Sequence, residues 1–570
     1  MGGGTAGLAL ATRLSQYLPK DCILVIEAGP DGRNDQRIYI PGLRGSTFNT
    51  PLDWVFPTIP QTHANGRVVT HPRGRVLGGT SAINLMVWDR ASIREFDAWE
   101  ELGNTGWNWE NMYSAMLKVE NFQRRNGEAQ YGDEGVAYGG PIQTSMLENP
   151  PPHMQACIPT LERLGLKKNL ESLSGRVLGT MYQPTNNFLG NHTRSYSASY
   201  LPLAGENLVL MFNTTVWKVA LNKKSSRATG VVILNGTVIK AKKEVILSSG
   251  SLMTPKILEL SGIGAKGILE KAGIKQLINL PGVGENLQDH LRIQTTYQLY
   301  PNITGMDILR YNATRAAIEL ELYRQGKTSL YQYSGSCYGF LTWDQALNSS
   351  DSSKLLQLAR SSTDSTNIID RKKLSLFEQA STASVPQLEI IFGDGYTGHR
   401  GYPANGTSGH GKKYATILAG IMHPFARGSV HINSSDPNTK PILDPKYLST
   451  PYDFEALRQA VKFTRKLSLT PPFNGLWTDA YDGDLSIDTD EEWEQYVRNN
   501  VWTFFHPLGT CAMLPKKENG VVDHELRVYG LEALRIVDAS VVPIIVSGHI
   551  QTALYGIAER AAEMVAREWS

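Results

Sequence analysis

The residues with the clearest chemistry stand at the start of the chain. Gly2, Gly4 and Gly7 form a G-x-G-x-x-G run, a helical pattern follows in TAGLALATRLSQYL, and an apolar run from Cys22 to Ile26 ends at Glu27. Glu27 lies twenty residues after Gly7. This spacing predicts a dinucleotide-binding turn. The first glycine permits the tight turn, the second lets the backbone approach a pyrophosphate, and the third lets helix and strand pack closely. The helix N-terminus then offers free N–H groups and a partial positive charge to the phosphates. Glu27 offers a carboxylate to a ribose hydroxyl, which favours NAD or FAD over a 2′-phosphorylated cofactor without separating those two. The strand expected before the glycines is missing, since the sequence begins at Met1, and no signal peptide is visible. Both absences read as one truncation, and the chain as written is expected to bind its cofactor poorly.

A second glycine-rich stretch, HPRGRVLGGTSAINLMVW, begins at His71. It combines basic residues, the pair Gly78-Gly79, small hydroxyl residues and an amide. Such a loop can bring its backbone against a flat or charged ligand; from this segment alone a plain connector reads equally well. Histidine is the side chain suited to moving a proton near neutral pH, and the chain holds 12. A lone histidine in an apolar run is usually a satisfied structural residue, and His423, His431 and His524 take that reading. No carboxylate or thiol set at suitable spacing supports zinc, so no metal is expected. Ser249-Gly250-Ser251 lacks the G-x-S-x-G spacing of a serine hydrolase. The four cysteines include no C-x-x-C. Cys22 and Cys511 read as small buried hydrophobes, and a Cys157–Cys337 pairing stays open.

The elements that must position these residues follow from length and pattern. At 570 residues the chain needs two domains or more. It is 41% hydrophobic and 19% charged with a net charge of +2, which argues against a nucleic-acid surface. No apolar run reaches the roughly 18 residues of a spanning helix, so no membrane span is expected. EVILSSG and TPKILELSGIG form a second strand–turn–helix unit, with Thr254 as helix cap and Pro255 at its first position. The loop LPGVGENLQDH closes a first domain, 1–290. Residues 291–425, with strand-like QLEIIF and YATILAGI, form a separate domain, and a Ser/Thr/Asp-rich stretch near 348–366 is expected to be an exposed loop. Residues 426–570 return to regular elements and end in an amphipathic helix from Thr552. Sequons begin at Asn191, Asn213, Asn235, Asn302, Asn312, Asn348, Asn405 and Asn433. Eight favour a secreted or secretory-pathway protein bearing N-glycans.

Several blocks then match one family: GGGTAG with VIEAGPD, PRGRVLGGTSAIN, SSGSLMTPKILELSGIG, LPGVGENLQDH, FFHPLGTCAM, and RIVDASVVPIIVSGHIQTALYGIAERAA. Through them the sequence resembles the glucose–methanol–choline (GMC) oxidoreductases over nearly its whole length, and among these the fungal aryl-alcohol oxidase and patulin synthase-like subgroup. The resemblance implies an α/β (α+β overall) architecture: a Rossmann-like FAD-binding domain with a second, sheet-based substrate-binding domain, and a C-terminal part, 426–570, that completes the FAD site. It implies that Gly2, Gly4 and Gly7 hold the FAD pyrophosphate, Glu27 the adenosine ribose, and Val216 the adenine through its backbone. Gly78, Gly79, Asn84 and Met86 would lie along pyrophosphate and flavin. Asp538, Gln551 and Thr552 would complete the flavin site, where the C-terminal helix directs N–H groups at the pyrimidine ring. Some members tether FAD through a histidine just before the asparagine of GG-x-S-x-x-N; Ile83 stands there, which implies non-covalent FAD.

The same resemblance places His506 and His549, 43 residues apart, beside the flavin. His506 is expected to be the base. His549 would orient the alcohol and steady the developing alkoxide. The hydride goes to flavin N5 and the electrons to O2 or a quinone-like acceptor. Phe504, Phe505 and Trp88 are expected to wall an apolar slot for a primary aryl or allylic alcohol, oxidised to the aldehyde. Two alternatives stand beside this: a non-redox lyase or cyclase that retains FAD, and a truncated remnant that binds none.

Overall fold

The computed structural model describes residues 2–124, 131–148, 150–222, 226–378, 385–398, 400–482 and 485–570. Helix α1 (Thr5–Tyr17) starts directly behind the glycine turn. A Cβ on Gly7 would sit 2.1 Å from the Gly2 carbonyl oxygen, so only glycine lets helix and turn approach this closely. Strand β1 (Ile23–Ile26) pairs in parallel with β2 (Leu208–Met211). Strand β3 (Val245–Leu247) pairs in parallel with Leu534–Ile536. The glycine turn lies between these two pairs. The Gly2 N–H donates to the Ile26 carbonyl at 3.0 Å, and a Cβ on Gly2 would meet the Ser248 carbonyl oxygen at 2.2 Å. Among the described residues the two parallel pairs are separate sheets.

Helix α2 (Gly250–Leu260) departs from the expectation that Thr254 caps it. It starts five residues earlier, with Ser249 at the cap and Pro255 inside. Proline has no N–H for the carbonyl one turn back. That carbonyl, on Ser251, accepts instead from the Thr510 hydroxyl at 2.6 Å. Thr254 is thereby free to donate to Asp538 at 2.6 Å.

The second domain is built on one seven-stranded sheet. At its centre β4 (Leu291–Leu299), β5 (Cys337–Leu341), β6 (Leu388–Asp394) and β7 (Tyr414–Ile421) run antiparallel, with β7 between β4 and β6, and β5 beyond β6. One face packs under α3 (Pro451–Ser468), whose cap is Thr450 and whose first residue is a proline. The other face, with Tyr338, Ile391 and Leu418, turns towards the glycine turn. Cys157 and Cys337 form a disulfide that fastens the helix Cys157–Arg163 to the start of β5. The C-terminal part feeds both cores: Tyr452 to Val501 join the sheet domain, and Leu508 onward joins the nucleotide domain.

Two local expectations change. The stretch near 348–366 is a helix over Ser349–Ser362, not a loop; Asn348 caps it by accepting from the Asp351 N–H, and Leu355 and Ala359 bury its apolar stripe. Cys22 is exposed, because the strand begins one residue later at Ile23. Cys511 is buried. All eight sequon asparagines are exposed. Among the described residues, no helix is long and apolar enough to cross a membrane.

Candidate active site

A cavity of about 1060 Å³ runs from the glycine turn to the inner face of the sheet. Its first end is made of backbone. Gly4 and Gly79 face each other across it; a Cβ on Gly79 would lie 2.7 Å from the Gly4 Cα, and Gly79 holds φ at +51°. Gly2, with φ at +79°, completes this cradle. Gly7 and Gly78 stand behind the wall rather than in it: Gly7 lies against Gly2, and Gly78 against the Tyr196 ring. Glu27 reaches the cavity with its carboxylate already oriented, accepting from the Gly3 N–H at 3.0 Å and the Gly29 N–H at 2.8 Å. Burial raises its pKa, against the pull of those backbone donors. Val216 lines the same end from the first position of the strand Val216–Asn222.

The middle of the cavity is framed by amides. Asn84 donates to the Gln551 side-chain oxygen at 2.9 Å, and its own oxygen accepts from the Met86 N–H at 3.0 Å. That second bond holds Met86 at a φ of +73°. Gln551 opens helix α4 (Gln551–Trp569), whose unpaired first-turn N–H groups begin at the cavity wall. Asp538 lines the wall, but four donors engage its carboxylate: the Gly250 N–H, the Thr254 hydroxyl, and the Ser540 N–H and hydroxyl. It holds the first turn of α2 in place. Thr552 lies behind the wall with its hydroxyl on the Asp89 carbonyl. Ile83 is buried among apolar side chains. His71 is buried against Tyr447, 2.8 Å from its hydroxyl, and lies outside the cavity lining. No histidine tether is therefore at hand on this loop. The volume and the cradle, which side chains would fill, suit a dinucleotide with a tricyclic ring.

The second end is made of side chains. A left-handed turn at Phe505, φ +65°, directs His506 inward. It is held on both sides, the Phe505 N–H donating to the Thr503 hydroxyl at 2.6 Å and Arg73 donating to its carbonyl. The His506 N–H donates to Asp289 at 2.9 Å. Burial pushes the Asp289 carboxyl up to about 6, against hydrogen bonds from Thr503, Tyr447 and His506.

His290 fixes the tautomer of His506. A carbonyl only accepts, so the His290 Nε2 at 3.0 Å from the Met422 oxygen carries the proton. Burial holds both rings neutral, each pKa falling well below the usual imidazole value. Neutral His290 then presents a bare Nδ1, and the His506 Nδ1–H, 2.9 Å away, donates to it. The lone pair of His506 is left on Nε2, where no described residue donates to it. This is the form a general base needs.

His549 is its opposite in charge. Its N–H and its Nδ1 both meet Asp89, each at 2.9 Å, and Glu389 stands 3.9 Å from the same Nδ1. Burial lowers its pKa, but the charges of Glu389 and Asp89 and the hydrogen bond to Asp89 outweigh that and raise it to about 9. Burial also lifts Glu389 to about 7. His549 is thus a cation near neutral pH and a donor through Nε2. Its ring lies edge-on to His506 with centroids 4.9 Å apart. Asp89, Glu389 and His549 form the three-residue cluster, among the described residues, that has metal-ligand chemistry. The Nδ1–H held by Asp89 occupies the nitrogen a cation would need.

Phe504 stacks on His506 at 5.9 Å and stands edge-on to His549 at 6.0 Å, and Phe505 lines the wall beside it. Trp88 does not wall the slot. It is 1% exposed, packed on Tyr555 at 5.9 Å within the nucleotide-domain core. The strand-like path after Met86 carries its indole to the side away from the cavity. His423 and His431 are structural, paired with Glu95 and with Glu259 and Glu285. Sequence reading missed His290, Asp89 and Glu389. Glu389 had a signal, a lone charge inside the apolar run QLEIIF; His290 ends a quoted family block; Asp89 had none.

Comparison with known proteins gives the family. A family model described as GMC oxidoreductase matches residues 1–292, and a second with that description matches 424–558. The chain is 33% identical to "GMC oxidoreductase family protein Mala s 12" of Malassezia sympodialis, over 99% of this chain and 91% of that protein. It is 30% identical to "Dehydrogenase citC" of Monascus ruber, over 100% and 95%. Among solved structures, an FAD-dependent oxidoreductase from Chaetomium thermophilum superposes with a TM-score of 0.88 at 27% identity, covering 100% of this chain and 98% of that one. A fungal aryl-alcohol oxidase superposes with a TM-score of 0.85 at 28% identity, covering 100% and 98%. The chain belongs to the GMC oxidoreductase family and is an FAD-dependent oxidoreductase.

Proposed function

We propose that the protein oxidises a primary aryl or allylic alcohol to its aldehyde, with non-covalently held FAD. The observation that carries this reading is the pair of facing imidazoles in opposite charge states at the side-chain end of the cavity. Gly2, Gly4 and Gly79 would hold the pyrophosphate, Glu27 the ribose, Val216 the adenine, and Asn84, Met86, Gln551 and the N-terminus of α4 the flavin. Gly7, Gly78, Asp538 and Thr552 act on that site through the elements they hold. The chemistry FAD supplies when bound is hydride acceptance at N5 and onward transfer of the electron pair to O2 or a quinone-like acceptor.

The chain's own residues do the rest. The substrate hydroxyl sits between the two Nε2 atoms. His506 Nε2 takes the hydroxyl proton, and the His549 imidazolium donates to the oxygen as negative charge grows on it. Phe504 and Phe505 keep water from that oxygen and stack a flat substrate. The exposed sequons support an N-glycosylated, secreted protein, and the fungal dehydrogenase relatives support a place in secondary metabolism. The test is anaerobic mixing of the FAD-loaded protein with benzyl, cinnamyl and sugar alcohols. Bleaching of the flavin band by the first two is the expected result. A band unmoved by every alcohol would favour the non-redox lyase or cyclase reading instead.

A further inference from the structure

We propose that the substrates of this site are alcohols carrying a carboxylate, and that Arg292 binds it. The inference rests on the oxidase reading above and narrows its substrate class.

Four arginines line the cavity. Three feel the charge of a carboxylate: Arg44 that of Asp394, Arg73 those of Asp289 and Asp53, and Arg310 that of Asp307, paired with it at 3.2 Å. Arg292 has none among the described residues. It is 7% exposed, and burial alone accounts for the lowering of its pKa to about 10. Its Nε donates to the Thr503 carbonyl at 3.1 Å, its Nη1 to the Gln294 side-chain oxygen, and its guanidinium carbon lies 5.9 Å from the centre of the Phe504 ring. No described residue accepts from its Nη2. A buried charge is costly unless an opposite charge meets it, and the open side of this one is the cavity.

The register of the sheet says where that charge stands. Arg292 is opposite Gly420, and Gly420 is opposite Glu389, so the three form one row across the inner face. The Phe504 ring covers the middle of the row; a Cβ on Gly420 would lie 2.0 Å from it. Phe504 thus separates the guanidinium from the carboxylate that serves His549. In the next row Leu418, Ile391 and the ring of Tyr338 line the cavity as a largely apolar floor, with Gln294 at the row's end beside Arg292. His290, which positions the base, precedes Arg292 by two residues, about 7 Å along the chain and on the same face. The chamber therefore offers a base at one point, a flat apolar floor, and an unpaired cation roughly an aromatic ring away. A planar alcohol with a carboxylate at its far end meets all three, and a charge-assisted hydrogen bond from Nη2 fixes it.

The experiment is calorimetric titration of FAD-loaded protein with p-toluate and p-toluamide, which differ in charge and have no hydroxyl to react. The parent is expected to bind p-toluate at least about tenfold more tightly. Arg292→Met should abolish that preference, with the flavin band and thermal melting confirming the fold. If Arg292→Met does not load FAD, Arg292→Lys, which keeps the cation but not the planar fork, should show a reduced preference. Equal affinity of the parent for the two ligands, or a preference undiminished in the variant, overturns the proposal. Anaerobic bleaching by benzyl alcohol, run on the same parent sample, tests the oxidase reading separately. Bleaching without a carboxylate preference removes only the role of Arg292. A carboxylate preference without bleaching by any alcohol removes the oxidase reading and leaves an anion site.

Discussion

The two ends of the cavity are built by different means. The nucleotide end is local and made of main chain: two glycines, a helix start and one carboxylate within the first 27 residues, with Gly79 set against them. The catalytic end is non-local and made of side chains. His506 depends on His290, Met422 and Asp289, and His549 depends on Asp89 and Glu389, residues drawn from four separate stretches. Main chain placed by glycine cannot be tuned, only admitted or blocked. Side chains placed by other side chains can be tuned in charge, and here two imidazoles whose rings are 4.9 Å apart hold opposite protonation states.

That contrast can be broken at either end. The largest effect is expected from His506→Ala: FAD content unchanged, flavin reduction by alcohol slower by about a hundredfold to ten-thousandfold, read by anaerobic rapid mixing. At the other end, Gly79→Ala should do the reverse. Its Cβ would press on the Gly4 backbone at 2.7 Å with φ at +51°, so the expected outcome is loss of most bound flavin by absorbance, with near-parent reduction per flavin retained. His290→Leu should slow reduction about ten- to a hundredfold by leaving the His506 Nδ1–H without an acceptor. His290→Asn, whose carbonyl accepts at a similar position, should recover much of that, and equal losses in both variants would contradict the tautomer argument.

The smallest effect is expected from Asp89→Asn. His549 must be protonated to donate, so reduction should hold up to a pH of about 9 and fall above it. Removing the Asp89 charge removes part of what favours the imidazolium. The alkaline limb should then move to lower pH, with less than about a tenfold change near neutrality. On the acid side His506 must stay neutral, and its depressed pKa keeps it so below the ordinary imidazole value. No fall in rate is expected as the pH drops through about 6.5.

The same contrast explains what was legible in the sequence. Gly2, Gly4 and Glu27 were readable because short-range spacing encodes them, although Gly7, Gly78 and Thr552 turned out to support the wall rather than line it. His506 and His549 were readable only through the blocks around them. Their partners were not, since antiparallel register, not sequence distance, brings Glu389 to His549 and Arg292 to Phe504. Trp88 misled because an aromatic after a flavin loop has no mark that separates core from wall. Helix α2 misled for a related reason: Thr-Pro is a strong local start signal, and a distant hydroxyl, Thr510, relieves the proline that breaks the rule.

The division of charge between the two histidines is the centre of the account, and side-chain nitrogen NMR of histidine-labelled, FAD-loaded protein tests it most directly. Assigned through His506→Ala and His549→Ala, the spectra at neutral pH should show His506 neutral with its proton on Nδ1, and His549 protonated on both nitrogens up to a pH of about 9. A His506 proton on Nε2, or a neutral His549 at that pH, would contradict it.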